Sequence, residues 1–358
     1  MKIPVLNIYY MLSYSWNSLE ESGIIKIERS EYQSLKQLFA RVLATGTKHL
    51  IKRSIDRSYI TKTGEYRGIK GKLLINETLT KNLLSLGKSI SKFDELDPNI
   101  VSNQILKSTI YSLLKDNDID KDTHKQLKST FQNFHKVDYI ILKRDHFRKI
   151  QFHRNNRQYN LLIRICKLIF DNSTLNEKEG TYIFRDFTRD DKKMALLFQS
   201  FICNFYKRHY NDLSVSGEII NWAFESENEN DTHFLPKMRT DITIENTQQK
   251  IIIDTKYYSK TLSTYFDSES FHSENLYQLF SYLLNQEEKG NSPKFSECTG
   301  VLLYPKVDVE LMMSFKYKTH NIFIRTIDLS QEWNIIEENL KLLIADINIS
   351  QKMPINLA

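Results

Sequence analysis

MRTDITIENTQQKIIIDTKYY, residues 238–258, contains two strand patterns joined by a turn. Residues 239–245 alternate between apolar or small side chains and polar ones, as in a strand with one buried face. Residues 250–257 form a β-branched run that includes an aspartate and a lysine. The link, residues 246–249, has the composition and length of a hairpin turn. The stretch therefore predicts a β-hairpin.

The register of this hairpin brings charged residues together. If Glu245 faces Lys250 across the turn, Asp241 lies directly opposite Asp254. Lys256 points to the same side as Asp254, because side chains repeat every two residues in a strand. Two carboxylates and an ammonium are thus predicted on one patch of one sheet face.

Two opposed carboxylates require a chemical reason, because like charges facing each other destabilise a sheet. Mg²⁺ held between Asp241 and Asp254 would remove the repulsion, and one or two carboxylates are its usual protein ligands. Lys256 beside one or two such ions would orient or deprotonate a water, or stabilise the charge of a phosphorane-like transition state. The pattern is typical of metal-dependent phosphodiester hydrolysis. A surface hairpin with ordinary charges is the alternative interpretation of so short a motif.

Length and composition indicate a globular protein with two domains. The chain has 358 residues, of which 41% are hydrophobic and 26% charged. No apolar run is long enough to span a membrane, and the first residues lack a signal-peptide pattern and are expected to remain as structure. The three cysteines, Cys166, Cys203 and Cys298, are far apart and are predicted to be buried free thiols of a cytoplasmic protein. Without a P-loop motif, the chain is not expected to bind a nucleotide itself.

Charge divides the chain near its middle. Residues 1–172 have 30 Lys and Arg against 17 Asp and Glu, a net charge of +13, whereas residues 173–358 have 20 against 27, a net charge of −7. Ser173–Gly180 has the composition of a linker. We therefore predict a basic domain over 1–172, which meets a polyanion or an acidic protein surface, and a second domain over 173–358.

The first half is predicted to be mostly helical, with a helix capped by Asn7 near its start. Further predicted elements are helices over Ile100–Lys115, Lys121–Phe134 and Tyr159–Phe170, and a strand over Val137–Leu142.

Between residues 58 and 76, strand-like runs replace the helical pattern, and cations alternate with glycines in YRGIKGK. The glycines of this segment are Gly64, Gly68 and Gly71, and its cations are Arg67, Lys70 and Lys72. Glycine permits tight turns, so this segment is predicted to project as a basic finger that contacts a partner or DNA. The alternative is a solvated hairpin tip.

The second half follows an α-β-β-β-α-β pattern, with the 238–258 hairpin at its centre. Thr188 and Asp191 predict a capping box for the first helix. A helix beginning at Ser270 or Ser273 follows the hairpin, and its Gln278 and Tyr282 share a face. This pair would support the metal site or bind a phosphate, or it would simply pack. Strands over Gly300–Tyr304 and Ile322–Ile327 and a helix over Trp333–Ile344 complete the predicted elements.

Several motifs along the chain resemble the McrC family, the nuclease subunits of McrBC-type methylcytosine-directed restriction systems. The motifs are NIYYMLSYSW, GIKGK, ILKST, CKLIFDNS, TDITI, IIIDTKYY, NLYQLFSYL and QEW, and they extend over nearly the whole chain. The resemblance implies a restriction-endonuclease-like PD-(D/E)XK core of the α/β class in the second half, preceded by an α+β domain. It implies metal and catalytic roles for Asp241, Asp254 and Lys256. Gln278 and Tyr282 match the following Q-x-x-x-Y helix.

The resemblance also implies a partner. The first half would dock on a hexameric GTPase ring of the McrB type and stimulate its hydrolysis, while the ring's own domain reads the modified DNA. The GIKGK region would enter or cap that ring. One departure concerns Gln199, which stands on the first core helix where many PD-(D/E)XK nucleases have a glutamate. The metal would then have only two protein carboxylates.

The sequence thus predicts a Mg²⁺-dependent subunit that cleaves double-stranded DNA within a GTP-driven restriction complex. A stand-alone sequence-specific endonuclease is the alternative enzyme. A non-catalytic regulator of a motor ATPase is the alternative from another class, and the intact Asp241, Asp254 and Lys256 set argues against it.

Overall fold

The computed structural model describes residues 2–20, 32, 34–152, 156–176, 181–227, 229–258, 263–265, 268–289 and 292–347. In chain order the helices of this part are α1 (Val5–Ser15), α2 (Leu35–Lys52), α3 (Ile75–Thr80), α4 (Val101–Leu114), α5 (Lys121–Gln132), α6 (Arg144–Arg148), α7 (Arg157–Asp171), α8 (Asp191–His209), α9 (Ser273–Glu287), α10 (Pro293–Ser296) and α11 (Trp333–Asp346).

The strands lie between these helices along the chain, singly or in groups. They are β1 (Ser58–Arg67), β2 (Lys72–Leu73), β3 (Lys88–Asp97), β4 (Ser173–Asn176), β5 (Thr181–Phe184), β6 (Ser214–Ser216), β7 (Ile219–Ile220), β8 (Met238–Arg239), β9 (Ile242–Glu245), β10 (Lys250–Thr255), β11 (Ser263–Tyr265), β12 (Ser268–Ser270), β13 (Thr299–Pro305), β14 (Met312–Tyr317) and β15 (His320–Ile327). The fold is therefore α+β, with parallel and antiparallel pairing in its largest sheet.

The chain divides into two compact units. One, here called the sheet unit, consists of residues 1–19 and 186–358, and the other, here called the insert, consists of residues 20–185. The predicted domains of 1–172 and 173–358 differ from these units at both ends. The first helix joins the sheet unit because Tyr14 packs against Phe201 and Phe205 of α8.

The predicted linker Ser173–Gly180 is also revised. Its first four residues form β4, which pairs with β5 in an antiparallel hairpin, and both strands belong to the insert. Residues 177–180 lie outside the described part. The chain consequently leaves the insert after Arg185.

A six-stranded sheet in the order β14-β15-β13-β10-β9-β6 forms the centre of the sheet unit. β10 pairs with β13 in parallel and with β9 in antiparallel orientation. β10 is buried along its whole length, which explains its continuous β-branched sequence. One face packs against α9, and Gly300 of β13 allows the close approach because a Cβ there would lie 3.0 Å from Leu279.

The turn between β9 and β10 fixes the predicted register. Oδ1 of Asn246 accepts hydrogen bonds from the backbone N–H groups of Gln248 and Gln249, and the Asn246 N–H donates to the Gln249 carbonyl. Such an Asx turn closes a short hairpin. Glu245 faces Lys250 as predicted, and the ladder continues to Ile242 opposite Ile253.

The insert combines a small sheet with packed helices. Its three strands run in the order β1-β3-β2, and β3 pairs with both neighbours in antiparallel orientation. Helices α2, α4, α5 and α7 pack on one another through apolar faces. The predicted helices in this region are present, with ends that differ by at most two residues.

Three local predictions in the two units are wrong. Asn7 is inside α1 and donates to the carbonyls of Leu329 and Gln331 instead of capping the helix. No strand forms over Val137–Leu142, where the Ile140 N–H donates to the Ser108 hydroxyl. The cap of α8 is Asp190, whose carboxylate accepts from the Lys193 N–H.

Two composition-based expectations can be compared with the described part of the chain. No described helix combines the length and apolarity that a bilayer crossing needs. The three cysteines are free, with Cys166 and Cys298 buried and Cys203 half-buried.

Candidate active site

Asp254 is the most unusual ionisable residue of the sheet unit. It lies near the end of β10 and is completely buried. No hydrogen bond of good geometry reaches its carboxylate oxygens within the described residues, although the Lys256 ammonium lies 2.8 Å from Oδ2. Burial, with a contribution from the Asp241 charge and against the influence of Lys256, raises its pKa to about 6. A buried carboxylate whose desolvation outweighs its ion pair is costly for the apoprotein and favourable for a bound cation.

Asp241 completes the acidic pair, although not by facing Asp254 directly across the ladder. Regular pairing ends at Ile242 and Ile253, and Asp241 lies in a bend before β9. Its Oδ2 accepts hydrogen bonds from the backbone N–H of Thr255 at 2.9 Å and from the Thr255 hydroxyl at 2.8 Å. The prediction of a directly opposed pair is corrected, because Thr255 holds the Asp241 carboxylate at the strand end.

Lys256 links the acidic pair to α9. Its Nζ lies 2.8 Å from Oδ2 of Asp254 and donates a hydrogen bond of 2.7 Å to Oε1 of Gln278. The amide of Gln278 then donates to the Tyr282 hydroxyl at 2.7 Å. That hydroxyl in turn donates to the Arg239 carbonyl at 2.7 Å. The five residues predicted for the hydrolytic site are therefore brought together.

Burial and the two nearby carboxylates raise the pKa of Tyr282 to about 12, against the effect of its hydrogen bond from Gln278. Tyr282 thus stays a neutral donor over the whole physiological range. The hydrogen bonds from Lys256 to Gln278 and from Gln278 to Tyr282 hold the lysine ammonium between α9 and the end of β10.

Gln199 joins the site from α8. Its side-chain amide donates to Oδ1 of Asp241 at 3.0 Å, so both oxygens of this carboxylate have donors. From the sequence, Gln199 was notable only because it stands where many PD-(D/E)XK nucleases have a glutamate. Thr255 was also overlooked as a site residue, and its position between Asp254 and Lys256 was the available signal.

The donor set fits a hard divalent cation. Asp254 offers a buried carboxylate whose Oδ2 faces Lys256 at 2.8 Å, and Asp241 is close enough for its charge to affect the Asp254 pKa. Within the described ranges, no cluster of three or more His, Cys, Asp or Glu side chains is arranged to hold a metal. Two carboxylates agree with the ligand number that Mg²⁺ takes from proteins, the remaining positions being filled by water and phosphate oxygens.

The three cations predicted at the finger lie in the insert, in or beside its small sheet, and all three are exposed. Arg67 is opposite Lys88, and Lys72 is opposite Lys92, so like charges face each other across the strands. The ammonium of Lys70 lies 3.9 Å from the centre of the Phe93 ring.

The connection between these cations is closely packed. Gly71 has a φ of +76°, and a Cβ there would lie 2.6 Å from Cβ of Phe93. Only glycine fits this position without rearrangement.

Comparisons with known proteins identify the family. Residues 7–305 match the model of the McrBC 5-methylcytosine restriction system component. The chain is 33% identical to the type IV methyl-directed restriction enzyme EcoKMcrBC of Escherichia coli (strain K12). The alignment spans 339 residues and covers 94% of this chain and 96% of the relative.

The chain belongs to the McrBC restriction-system family. The predicted resemblance is thereby confirmed. The fold is also similar to that of a chain in a solved structure, the half-complex from a tetradecameric assembly of Thermococcus gammatolerans McrB AAA+ hexamers with bound McrC. That match has a TM-score of 0.63 at 17% identity and covers 96% of this chain and 76% of the other. The McrBC family assignment makes this chain a component of a restriction system.

Proposed function

We propose that this chain is the Mg²⁺-dependent endonuclease subunit of its McrBC-type system, with a PD-(D/E)XK core that cleaves double-stranded DNA in the cytoplasm. One observation carries the proposal: Asp254 is fully buried beside Asp241, its pKa is raised to about 6, and the neighbouring Lys256 ammonium at 2.8 Å does not offset its desolvation. A structural role alone would favour a paired or neutral residue at this position.

The residues of the site divide the work of hydrolysis. Mg²⁺ held by Asp241 and Asp254 would supply positive charge beside the scissile phosphate. Lys256 has three N–H donors, of which one is used on Gln278 and another faces Asp254, so one is available for a phosphate oxygen or the attacking water. Its charge stabilises the negative charge that develops on the phosphorane-like transition state. Gln278 and Tyr282 hold the ammonium in place through their hydrogen-bond chain.

Substitution of the buried carboxylate tests this proposal. In an assay with Mg²⁺, GTP, the GTPase partner and methylated DNA, Asp254→Asn should lose at least about a thousandfold in cleavage. The variant should still stimulate the partner's GTPase, which shows that it is folded. Cleavage at the wild-type rate would refute the assignment. Efficient site-specific cutting by the purified wild-type chain alone would instead favour a stand-alone endonuclease.

We further propose that the insert docks on a hexameric McrB-like GTPase ring through the finger of Arg67, Lys70 and Lys72. The related assembly contains McrB hexamers with bound McrC. Like charges that face each other cost stability unless an anionic surface compensates for them. The pairs of Arg67 with Lys88 and Lys72 with Lys92 therefore support an acidic partner for this finger.

Charge reversal separates a protein partner from DNA. Lys70→Glu/Lys72→Glu should sharply reduce GTPase stimulation in buffer without DNA, by tenfold or more. A matched control is Lys121→Glu/Lys128→Glu, which reverses two exposed charges on α5 of the same unit. If GTPase stimulation is unchanged while DNA affinity falls with a weaker salt dependence, the finger holds DNA and the docking proposal is wrong.

A further inference from the structure

A second polar site lies on α8, away from the acidic pair. An open cavity of about 450 Å³ is lined by two cations and three asparagines. The lining residues are Asn17, Asn204, Lys207, Arg208 and Asn211. None of them is acidic, so the cavity presents positive charge and neutral amides only.

The shape of the cavity is fixed by the junction of α1 with α8. The amide of Asn204 donates to the Ser15 carbonyl at 3.0 Å, which holds the end of α1 against α8. Asn17 follows α1 with a φ of +52°, in the left-handed region that asparagine tolerates. The asparagines thus come from two chain segments whose relative position is set by a hydrogen bond.

The two cations differ from many others in the sheet unit. Lys250, Lys289 and Lys306 each lie within 4.0 Å of a carboxylate. Within the described part of the chain, neither Lys207 nor Arg208 forms such an ion pair, and both are exposed. Exposed cations on a concave surface whose lining residues include no acid match the chemistry of a phosphate.

A structural explanation for these cations also exists. Lys207, Arg208 and His209 occupy the last turn of α8, where positive charge interacts favourably with the helix dipole. The dipole explains the cations, but it does not explain the asparagines of a second segment around the same cavity. The two explanations differ in whether DNA affinity or only stability depends on the cations.

The cavity lies along the same helix as the acidic pair. Gln199, Cys203 and Lys207 are spaced by four residues and therefore share one face of α8. Gln199 contacts Asp241, and Lys207 is eight residues further, about 12 Å at 1.5 Å per residue. Burial raises the pKa of Cys203, the Lys207 charge opposes this effect and the Asp241 charge adds to it, which agrees with a position between them.

We propose that this cavity binds a backbone phosphate of the DNA strand that is cut at the acidic pair. This inference rests on the proposed nuclease function and adds a substrate contact to it. The rise per nucleotide along the duplex axis is about 3.4 Å, so a phosphate within a few nucleotides of the scissile one on the same strand can reach the cavity. Lys207 and Arg208 supply the charge, and the asparagine amides supply neutral donors.

Binding measured without hydrolysis tests the proposal. The full-length Lys207→Ala/Arg208→Ala variant is titrated with a fluorescent 30-base-pair duplex in EDTA over a series of KCl concentrations. We expect affinity at low salt to fall about tenfold, and the slope of log K against log[KCl] to become shallower by about one to two. The melting temperature should stay within about 2 °C of the wild type. Lys207→Gln/Arg208→Gln, with similar helix propensities, serves if the alanine variant folds poorly.

A matched control removes two lysines from the other edge of the same sheet. Lys316 and Lys318 lie on or beside β14, whereas β6 forms the opposite edge, and α8 packs near β6. Lys316→Ala/Lys318→Ala should leave the salt slope within about 0.3 of wild type. A cavity variant with the same slope and affinity as this control overturns the proposal. A lower melting temperature with unchanged binding overturns it too and supports the dipole explanation.

The outcome is separable from the nuclease assignment. If the wild-type chain and its partner never cut DNA but the cavity variant loses affinity and slope, the nuclease proposal fails and the phosphate site stands. If the wild type cuts DNA and the cavity variant binds normally, the phosphate site fails and the nuclease stands.

Discussion

Both ends of the β9–β10 hairpin contain buried charges, but the charges at the two ends differ in their partners and in their pKa shifts. At the turn end, buried Lys250 lies 2.7 Å from Glu218 and 3.4 Å from Glu245, and it donates to Gln286 at 3.2 Å. Burial disfavours ionised Glu218, but its contacts with Lys250 and Lys289 outweigh this effect and lower its pKa. Each charge at this end has partners.

At the other end of β10, Asp254 is equally buried, but its contact with Lys256 at 2.8 Å does not outweigh burial, and its pKa is raised. The same strand therefore contains one saturated ionic cluster and one incomplete site. Buried charges that serve stability are satisfied within the chain. An incomplete one indicates that a cation from outside the chain belongs there. Under the proposed function, this end of the hairpin is the catalytic one.

Substitution of the two lysines should separate these roles most strongly. Lys256→Met should lower the cleavage rate at least about a thousandfold, about 4 kcal/mol, and should also lower the free energy of unfolding at neutral pH, because buried Asp254 loses the ammonium 2.8 Å away. Lys250→Met should lower the free energy of unfolding by about 3 kcal/mol, because Glu218 and Glu245 lose a shared partner but keep Lys289 and Lys294. Beyond its effect on folding, Lys250→Met should leave cleavage by the folded protein nearly unchanged. Urea unfolding and a cleavage assay on both variants measure these effects, and equal losses of cleavage by the two folded variants would contradict the comparison.

The two ends should differ in how stability depends on pH: the lowered pKa of Glu218 adds stability that is lost as the pH falls, whereas Asp254 has an effect of the opposite sign. Its folded pKa of about 6 lies above the ordinary value of 3.8, so the ionised form is disfavoured by folding. The cost is absent below about pH 3.8, grows between 3.8 and 6, and is complete above 6. In EDTA at pH 7.5, Asp254→Asn should therefore be more stable than wild type by up to about 3 kcal/mol, and the gain should nearly vanish at pH 4.

The addition of Mg²⁺ provides the control for this prediction. Metal should raise the melting temperature of the wild type and leave that of Asp254→Asn nearly unchanged, because only the former has the anionic site. A stability difference that is the same at both pH values would show that desolvation of Asp254 is not its origin.

A smaller effect should follow when Gln199 becomes an acid. Gln199→Glu replaces a hydrogen bond to Asp241 with two carboxylates in contact, which should cost about 1–2 kcal/mol in EDTA. Mg²⁺ or Mn²⁺ should reverse the loss and stabilise this variant more than the wild type, since three carboxylates would surround the ion. Thermal melts with and without metal measure both effects. A variant that melts like the wild type in EDTA and gains no more from metal would show that Gln199 lies too far from the ion to matter.

Much of the sheet unit could be predicted because its signals are local. The β-branched run of β10, the alternation of β9 and the Asn246 turn specify the hairpin without the remainder of the chain. The spacing of Gln278 and Tyr282 likewise placed both on one face of α9. These features depend on residues within a few positions of one another.

The wrong or missing predictions concern residues whose structure depends on a partner far away in the sequence. Asn7 is a good cap by type, but its amide is used by the carbonyls of Leu329 and Gln331. β14 was not predicted, since its exposed residues become a strand only by pairing with β15. Gln199 could not be assigned to Asp241 from sequence, because that contact depends on how α8 packs.

The interruption of the sheet unit by the insert has a consequence for synthesis. Asn7 is synthesised 322 residues before Leu329, whose carbonyl accepts its hydrogen bond. At about 5–20 residues per second, synthesis of this stretch takes roughly 16–64 s. Residues 20–185 leave the ribosome in one continuous segment, whereas α1 must stay unpartnered until α8 and later segments emerge. We expect a nascent chain to fold its insert first and to close the sheet unit last. The hydrolytic site would then assemble only when translation is almost complete, so unfinished chains would be harmless to the DNA of the cell.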